Sequence, residues 1–96
     1  MNNSNIIDEI IKVLKEYVDN PDVVKVSDAE YRISDRIRDI KFIFVINIER
    51  LTYRVQCIHI NEFTFIDSDE FGRAVSTLKI IHRICEDIEV ILRKYK

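Results

Sequence analysis

Two cysteines and two histidines are the side chains of this sequence best suited to bind a metal. Cys57 and His59 would point to the same side of a strand, and His82 and Cys85 would be neighbours on a helix. Thiolates and imidazoles are the ligands of tetrahedral zinc, but this spacing matches no familiar zinc finger. Both cysteines also fall at apolar positions, where a thiol behaves as a small hydrophobe. We therefore expect no metal or cofactor, and a zinc site at these four residues is the alternative.

A second pattern concerns carboxylates and one lysine. Pro21-Asp22 followed by Asp39-Ile40-Lys41 resembles the PD…(D/E)xK arrangement of nucleases, in which carboxylates hold Mg²⁺ and the lysine steadies the attacking water. A strand rather than a helix is expected after Lys41, and no third metal-binding partner can be identified. With one glycine in the chain, a glycine-rich phosphate loop is excluded. A non-enzymatic protein is the leading interpretation, and a Mg²⁺-dependent nuclease is a remote alternative.

Basic residues are concentrated in the central third of the chain, beside Tyr31 and Tyr53. Cations and aromatic rings on one sheet can follow a phosphate backbone while bases stack. Acidic residues of the same segment balance these charges, so a solvated, ion-paired surface is the alternative. The pattern predicts a strand face for single-stranded nucleic acid, with these candidate contacts: Arg32, Arg36, Arg38, Lys41, Arg50 and Arg54.

Three of these cations, Lys41, Arg50 and Arg54, fall in a predicted β-hairpin between Ile40 and Ile60. If the strands pair about a turn at Glu49-Arg50, one face is apolar throughout, with these residues: Ile40, Phe42, Phe44, Ile46, Ile48, Leu51, Tyr53, Val55 and Cys57. The other face is polar near the turn but also carries four apolar residues: Ile43, Val45, Ile58 and Ile60. A sheet that is apolar on both faces needs two covering layers. The second layer is either the first helix, giving a closed monomer, or another chain.

The segments before the hairpin predict one helix and two strands. Asn5 can cap a helix whose apolar stripe ends before Asp19-Asn20-Pro21, because the residue before proline leaves helical geometry. That stripe consists of Ile7, Ile10, Ile11, Leu14, Tyr17 and Val18. Residues Val23 to Val26 predict a short strand, and apolar and polar residues alternate from Ala29 to Ile33, which predicts a second strand. Turns are predicted at Ser27-Asp28 and Ser34-Asp35. Phe63 to Ile66 predicts a short final strand.

The last thirty residues predict one long helix. Asp67 is a candidate N-cap with Glu70 three residues later, and Ile66 and Phe71 can form a hydrophobic staple around it. A helix from Ser68 to about Tyr95 would be roughly 40 Å long, longer than the strands it follows. Its apolar seam is wider than one small sheet requires, which favours a homodimer. The predicted dimer contacts are Phe71, Leu78, Ile81, Ile84, Ile88, Ile91, Leu92 and Tyr95.

The length and composition of the chain limit the classes of protein to which it can belong. Ninety-six residues make a single domain, residues 1–96, and a chain this small is stabilised by a partner. Eighteen isoleucines, one glycine and one proline are typical of a heat-stable protein, or of an AT-rich genome. The net charge is −2, and no apolar run could span a membrane. The first residues lack the basic region of a signal peptide, so a cytoplasmic protein with reduced cysteines is expected.

The order of the predicted elements resembles that of one known protein family. Several strands, then Thr64-Phe65-Ile66-Asp67-Ser68-Asp69-Glu70-Phe71 and a long terminal helix, resemble the transcriptional-coactivator fold over roughly residues 29 to 95. That resemblance implies a dimer that binds single-stranded DNA, although no binding residue can be carried over. A protein interaction module or an inhibitor of a host protein, of the kind found in viruses and mobile elements, is the alternative. The expected fold is α+β: an N-terminal helix, an antiparallel meander of four to five strands and a long C-terminal helix.

Overall fold

The fold follows the predicted order of elements. A computed structural model describes residues 4–61 and 67–96, so the strand predicted at Phe63 to Ile66 lies outside the described residues. The described elements are α1 (Ser4–Leu14), β1 (Asp22–Lys25), β2 (Glu30–Ile37), β3 (Ile40–Asn47), β4 (Thr52–His59) and α2 (Ser68–Lys94). The expected α+β meander is confirmed with four antiparallel strands in the order β1-β2-β3-β4. Neither described helix is long and apolar enough to cross a membrane.

The β3–β4 hairpin has the predicted register. Phe44 lies opposite Val55 and Ile46 lies opposite Tyr53, which places the turn at Glu49-Arg50. The Oδ1 atom of Asn47 accepts hydrogen bonds from the backbone N–H groups of both turn residues, at 3.0 and 2.8 Å. This local bond is typical of asparagine before a turn, and it holds the chain where the two apolar strands reverse.

The corner predicted at Ser34-Asp35 is wrong. β2 continues to Ile37, which pairs with Ile40, and the chain turns at Arg38-Asp39 with Arg38 at a φ of 52°. Serine and aspartate are common in turns, but here the alternation of apolar residues along β2 and its pairing with β3 maintain the strand. The reversal instead uses a left-handed arginine, a conformation that no glycine in the sequence signals.

The start of α1 differs from the predicted one, whereas the start of α2 agrees with the prediction. α1 begins at Ser4, so Asn5 lies inside the helix, and a further turn continues to Val18, whose N–H donates to the carbonyl of Leu14 at 2.9 Å. The predicted cap of α2 is confirmed: the side chain of Asp67 accepts from the backbone N–H of Glu70 at 2.8 Å. The two helices also meet through polar groups, because Glu9 accepts hydrogen bonds from Lys94 and from the Tyr95 hydroxyl.

Both helices pack on the same face of the sheet. Phe42 and Phe44 are fully buried with Ile10 of α1 and Ile88 of α2 in one apolar core, and we call this side the helix face. α1 therefore supplies part of the first covering layer and does not cover the second side. We call that second side the open face; its residues are Asp22, Val24, Glu30, Arg32, Ser34, Arg36, Lys41, Ile43, Val45, Asn47, Thr52, Arg54, Gln56 and Ile58.

Candidate binding face

Four of the six predicted basic contacts lie together on the open face. Arg32 and Arg54 flank Val45 in one cross-strand row, and Arg36 lies directly opposite Lys41 two rows away. Strands are about 4.8 Å apart and rise about 3.4 Å per residue. The four cations therefore lie around Ile43 within an area roughly 10 Å by 14 Å, with Arg32, Arg36 and Arg54 at three corners and Lys41 on the middle strand.

The four cations are not neutralised by neighbours. All four residues are exposed, and within residues 4–61 and 67–96 none of their side chains forms a salt bridge. The open face carries only two carboxylates, Asp22 and Glu30, against four cations, so its formal charge is +2. Since the whole chain carries −2, the remaining residues carry −4. The protein is thus electrically two-sided, with its positive side on the open face.

The two other predicted basic contacts lie at opposite ends of the sheet. Arg38 is in the β2–β3 turn, where its guanidinium donates to the hydroxyl of Thr77 at 3.4 Å. Arg50 is in the β3–β4 turn, at the far end of the strands. Neither residue belongs to the open face, since each follows the end of a strand and leaves the alternation that positions the other four.

The tyrosines that were expected beside the cations lie on the helix face. Tyr31 pairs with Ile46 and both are among the core contacts, while Tyr53 donates from its hydroxyl to Glu89 at 2.6 Å. Burial, followed by this hydrogen bond, raises the pKa of Tyr53. The part of the open face defined by the described strands consequently has no aromatic ring on which a base could stack.

The cysteines and histidines do not form a metal site in the described chain. Cys57 and His59 lie on the helix side of β4, whereas the His82 ring lies 3.5 Å from Glu86 on the exposed side of α2. Burial raises the pKa of both Cys57 and Cys85, which disfavours the thiolate that zinc requires. Among the described residues no three histidine, cysteine or acidic side chains are grouped as metal ligands.

The nuclease-like residues are also separated. Asp22 is on β1, where it pairs with Ser34, and Asp39 is in the β2–β3 turn. Lys41 lies on the open face with Asp22, but β2 separates their two strands. No third carboxylate joins the two aspartates within the described residues, so the geometry lacks the shared metal-binding position that the motif needs.

The predicted dimer contacts divide into two groups. Ile81, Ile84, Ile88, Ile91 and Leu92 are buried in the chain's own core. Of the other three, Tyr95 is partly buried against Glu9, while Phe71 is 59% exposed and Leu78 is 43% exposed. Val75 is also exposed, one turn after Phe71, and does not belong to the predicted contacts; the helical spacing of the seam, extended by one position, would include it.

Comparison with known protein families, with curated proteins and with solved structures finds no match to this chain.

Proposed function

We propose that this protein is a non-enzymatic binding protein whose open face binds single-stranded nucleic acid through its phosphates. The observation that carries the proposal is the group of four unneutralised cations, Arg32, Arg36, Lys41 and Arg54, on one uncovered side of the sheet. Phosphate contacts of this kind supply affinity without reading sequence. The resemblance of the sequence, in element order, to the single-stranded-DNA-binding coactivator fold implies the same class of ligand.

The lack of an aromatic ring determines the mode of binding. Proteins that hold single strands combine a positive groove with rings that stack on the bases, and stacking contributes about 1–3 kcal/mol per base. Here Ile43 and Val45 occupy the centre between the cations, both partly buried by the sheet. Binding should consequently be dominated by charge, steeply dependent on salt and nearly independent of base sequence.

A salt series tests the proposal. We expect a labelled single-stranded oligonucleotide to bind at low salt, with a plot of log affinity against log salt that falls by roughly 0.7 per phosphate contacted. Arg54→Gln should weaken binding several-fold and make that slope shallower by about 0.7. Arg83→Gln is the matched control, because Arg83 is an exposed arginine of α2 on the other side of the molecule. No binding of the wild-type protein at low salt would overturn the proposal.

A protein partner is the second candidate, and the exposed apolar residues favour it. Val24 is 48% exposed and Ile58 is 37% exposed on the open face, and neither is useful for holding phosphates. An acidic protein with a central apolar patch would fit both the cations and these residues. In that case Val24→Lys, outside the β4 edge, would weaken binding of the protein partner, whereas the same substitution would strengthen or leave unchanged the binding of an oligonucleotide.

A further inference from the structure

Among the described strands, β4 lies at one edge of the sheet. Within the described residues it pairs only with β3, and its eight residues extend over about 27 Å. A free edge presents a row of backbone N–H and C=O groups that another strand can pair with. The opposite edge differs, because β1 has only four residues and carries Asp22 and Lys25 at its two ends.

Exposed apolar side chains are concentrated beside this strand. We define the β4 margin as the outer edge of β4 with the flank of α2 next to it. Six of the ten large exposed hydrophobic residues lie here, which distinguishes the margin from the rest of the described surface; they are Val55, Ile58, Ile60, Phe71, Val75 and Leu78.

Two contacts place the flank of α2 next to β4. The Tyr53 hydroxyl of β4 bonds to Glu89, and His59 of β4 lines the same small cavity as Ala74. Leu78 lies one helical turn after Ala74, on the same side of α2, between these two contacts. On the helix face, Val55 of β4 and the apolar flank of α2 therefore border the same edge of the sheet, while Ile58 lies at that edge on the open face.

We propose that the β4 margin binds a second copy of this chain, with the two β4 strands pairing antiparallel about a two-fold axis. About a two-fold axis, β4 pairs with an identical strand. The pairing is therefore stable only if no two like charges lie opposite each other at its centre. The segment from Val55 to Ile58 is uncharged. When Gln56 lies opposite Gln56 of the second copy, Val55 faces Cys57 and Arg54 faces Ile58, and no like-charged pair forms.

The same pairing brings the helices together. Residues directly opposite in antiparallel strands point to the same side, so the two helix faces lie on one side of the joined sheet. The α2 flanks then approach each other above the junction, and Phe71, Val75 and Leu78 become covered. The uncharged strand segment and the apolar helix flank are each complementary to an identical copy of themselves. This favours a second copy of the chain over an unrelated chain as the partner. The predicted homodimer is thereby assigned to a different surface, since most of its seam is used in the core.

Dimerisation would also enlarge the open face. This part of the inference rests on the proposed function. The two open faces would lie side by side in an eight-stranded sheet roughly 38 Å wide at 4.8 Å per strand, and the number of cations would double. A longer oligonucleotide could then contact both copies, with a gain in affinity that a short oligonucleotide lacks.

Sedimentation velocity with two matched pairs of variants tests the interface. Wild-type protein should change from the 11.5 kDa monomer to twice that mass as its concentration rises through a dissociation constant in about the micromolar range. Leu78→Lys and Val55→Lys should shift the midpoint of dimerisation at least tenfold upward. Val90→Lys on α2 and Val24→Lys on β1 replace valines of similar exposure outside the β4 margin, and should leave it unchanged. Circular dichroism melting checks that each variant is folded.

A cross-linking measurement identifies the surface without altering it. In the proposed register the Cys57 residues of the two copies are diagonal neighbours about 8 Å apart, within reach of a short bis-maleimide. Cys57 is exposed and Cys85 is buried, so we expect a covalent dimer that Cys57→Ser abolishes. A wild-type monomer at about 100 µM overturns the proposal. So does a dimer that Leu78→Lys leaves intact, or one that Cys57 does not cross-link.

The two proposals can fail separately. A dimer that binds no oligonucleotide would leave the β4 interface intact and reject the nucleic-acid function. A monomer that binds short and long oligonucleotides equally per site would do the reverse.

Discussion

Among the described carboxylates, Glu9 joins the two helices through side-chain hydrogen bonds. It accepts hydrogen bonds from Lys94 and from the hydroxyl of Tyr95, and so connects the first helix to the end of the last. These two hydrogen bonds lower the pKa of Glu9, and the bond to Glu9 raises the pKa of Tyr95. A single side chain thus joins residues that are more than eighty positions apart in sequence.

Glu9→Gln should change how stability depends on pH. Because the pKa of Glu9 is lower in the folded protein than its ordinary value of 4.5, its contribution is present above that pH and disappears as the pH falls further. We expect the variant to melt about 3 °C below wild type at neutral pH, and this difference to be smaller near pH 3. Asp8→Asn, an exposed change on the same helix, is the control. An equal difference at both pH values would contradict the assignment.

Within a continuous strand, the sequence predicts on which side of the sheet each residue lies. Arg32, Arg36, Lys41 and Arg54 share the open face because strict alternation fixes the side to which each residue points. Arg38 could not be placed in this way. It sits in a turn at a positive φ, a conformation that depends on how β2 and β3 meet and not on its neighbours in sequence.

At the scale of elements, α2 contains the only glycine of the sequence. Gly72 lies in the second turn of the helix, and a Cβ atom added there would have no atom within 4 Å. No close approach or positive φ requires a glycine at this position. Its presence therefore lowers the stability of the helix without a compensating contact in the described structure.

Gly72→Ala should stabilise the protein by about 1 kcal/mol, because alanine loses less backbone entropy when it enters a helix. The reverse change at an exposed position of the same helix, Ser76→Gly, should lower stability by about half that amount. The free energy of unfolding in urea measures both. A decrease on Gly72→Ala would show that the glycine makes room for something, such as a partner against the start of α2.

The sequence was sufficient for the hairpin and for the cap of α2, but not for the arrangement of the helices. Register follows from alternation, since a slip of one residue would turn Phe42 and Phe44 into solvent. The apolar stripe of α1 is equally compatible with either side of the sheet. Its place beside α2 depends on contacts between distant residues, such as Ile10 with the core, which no local pattern specifies.

At the scale of the whole molecule, the protein is a two-layer structure with its sheet open on one side. β3 is the central strand of the pairing, and alternate residues along it are fully buried under the helices. β1 is at the edge, and all four of its residues are exposed. Stability should consequently decrease from the third strand toward the first.

Amide hydrogen exchange measures this gradient. The amides of β3 should exchange slowest, at the rate set by global unfolding, while those of β1 exchange by local opening at least a hundredfold faster. If β4 pairs with a second copy, its outward N–H groups should gain protection as protein concentration rises, and those of β1 should not. Protection of β1 equal to that of β3 would contradict the arrangement and indicate that this edge is covered.

The shortness of β1 has a consequence for assembly. Any chain with two adhesive sheet edges can add copies at both ends and grow as a polymer. In the proposed dimer, pairing of β4 with β4 would use the long edge of each copy and leave β1 at both ends of the assembly. The four residues of β1, which begin with Asp22 and end with Lys25, offer few backbone hydrogen bonds and a charged edge to a further copy. Growth would then stop at two copies, and a protein that pairs through its strands would not form a fibre.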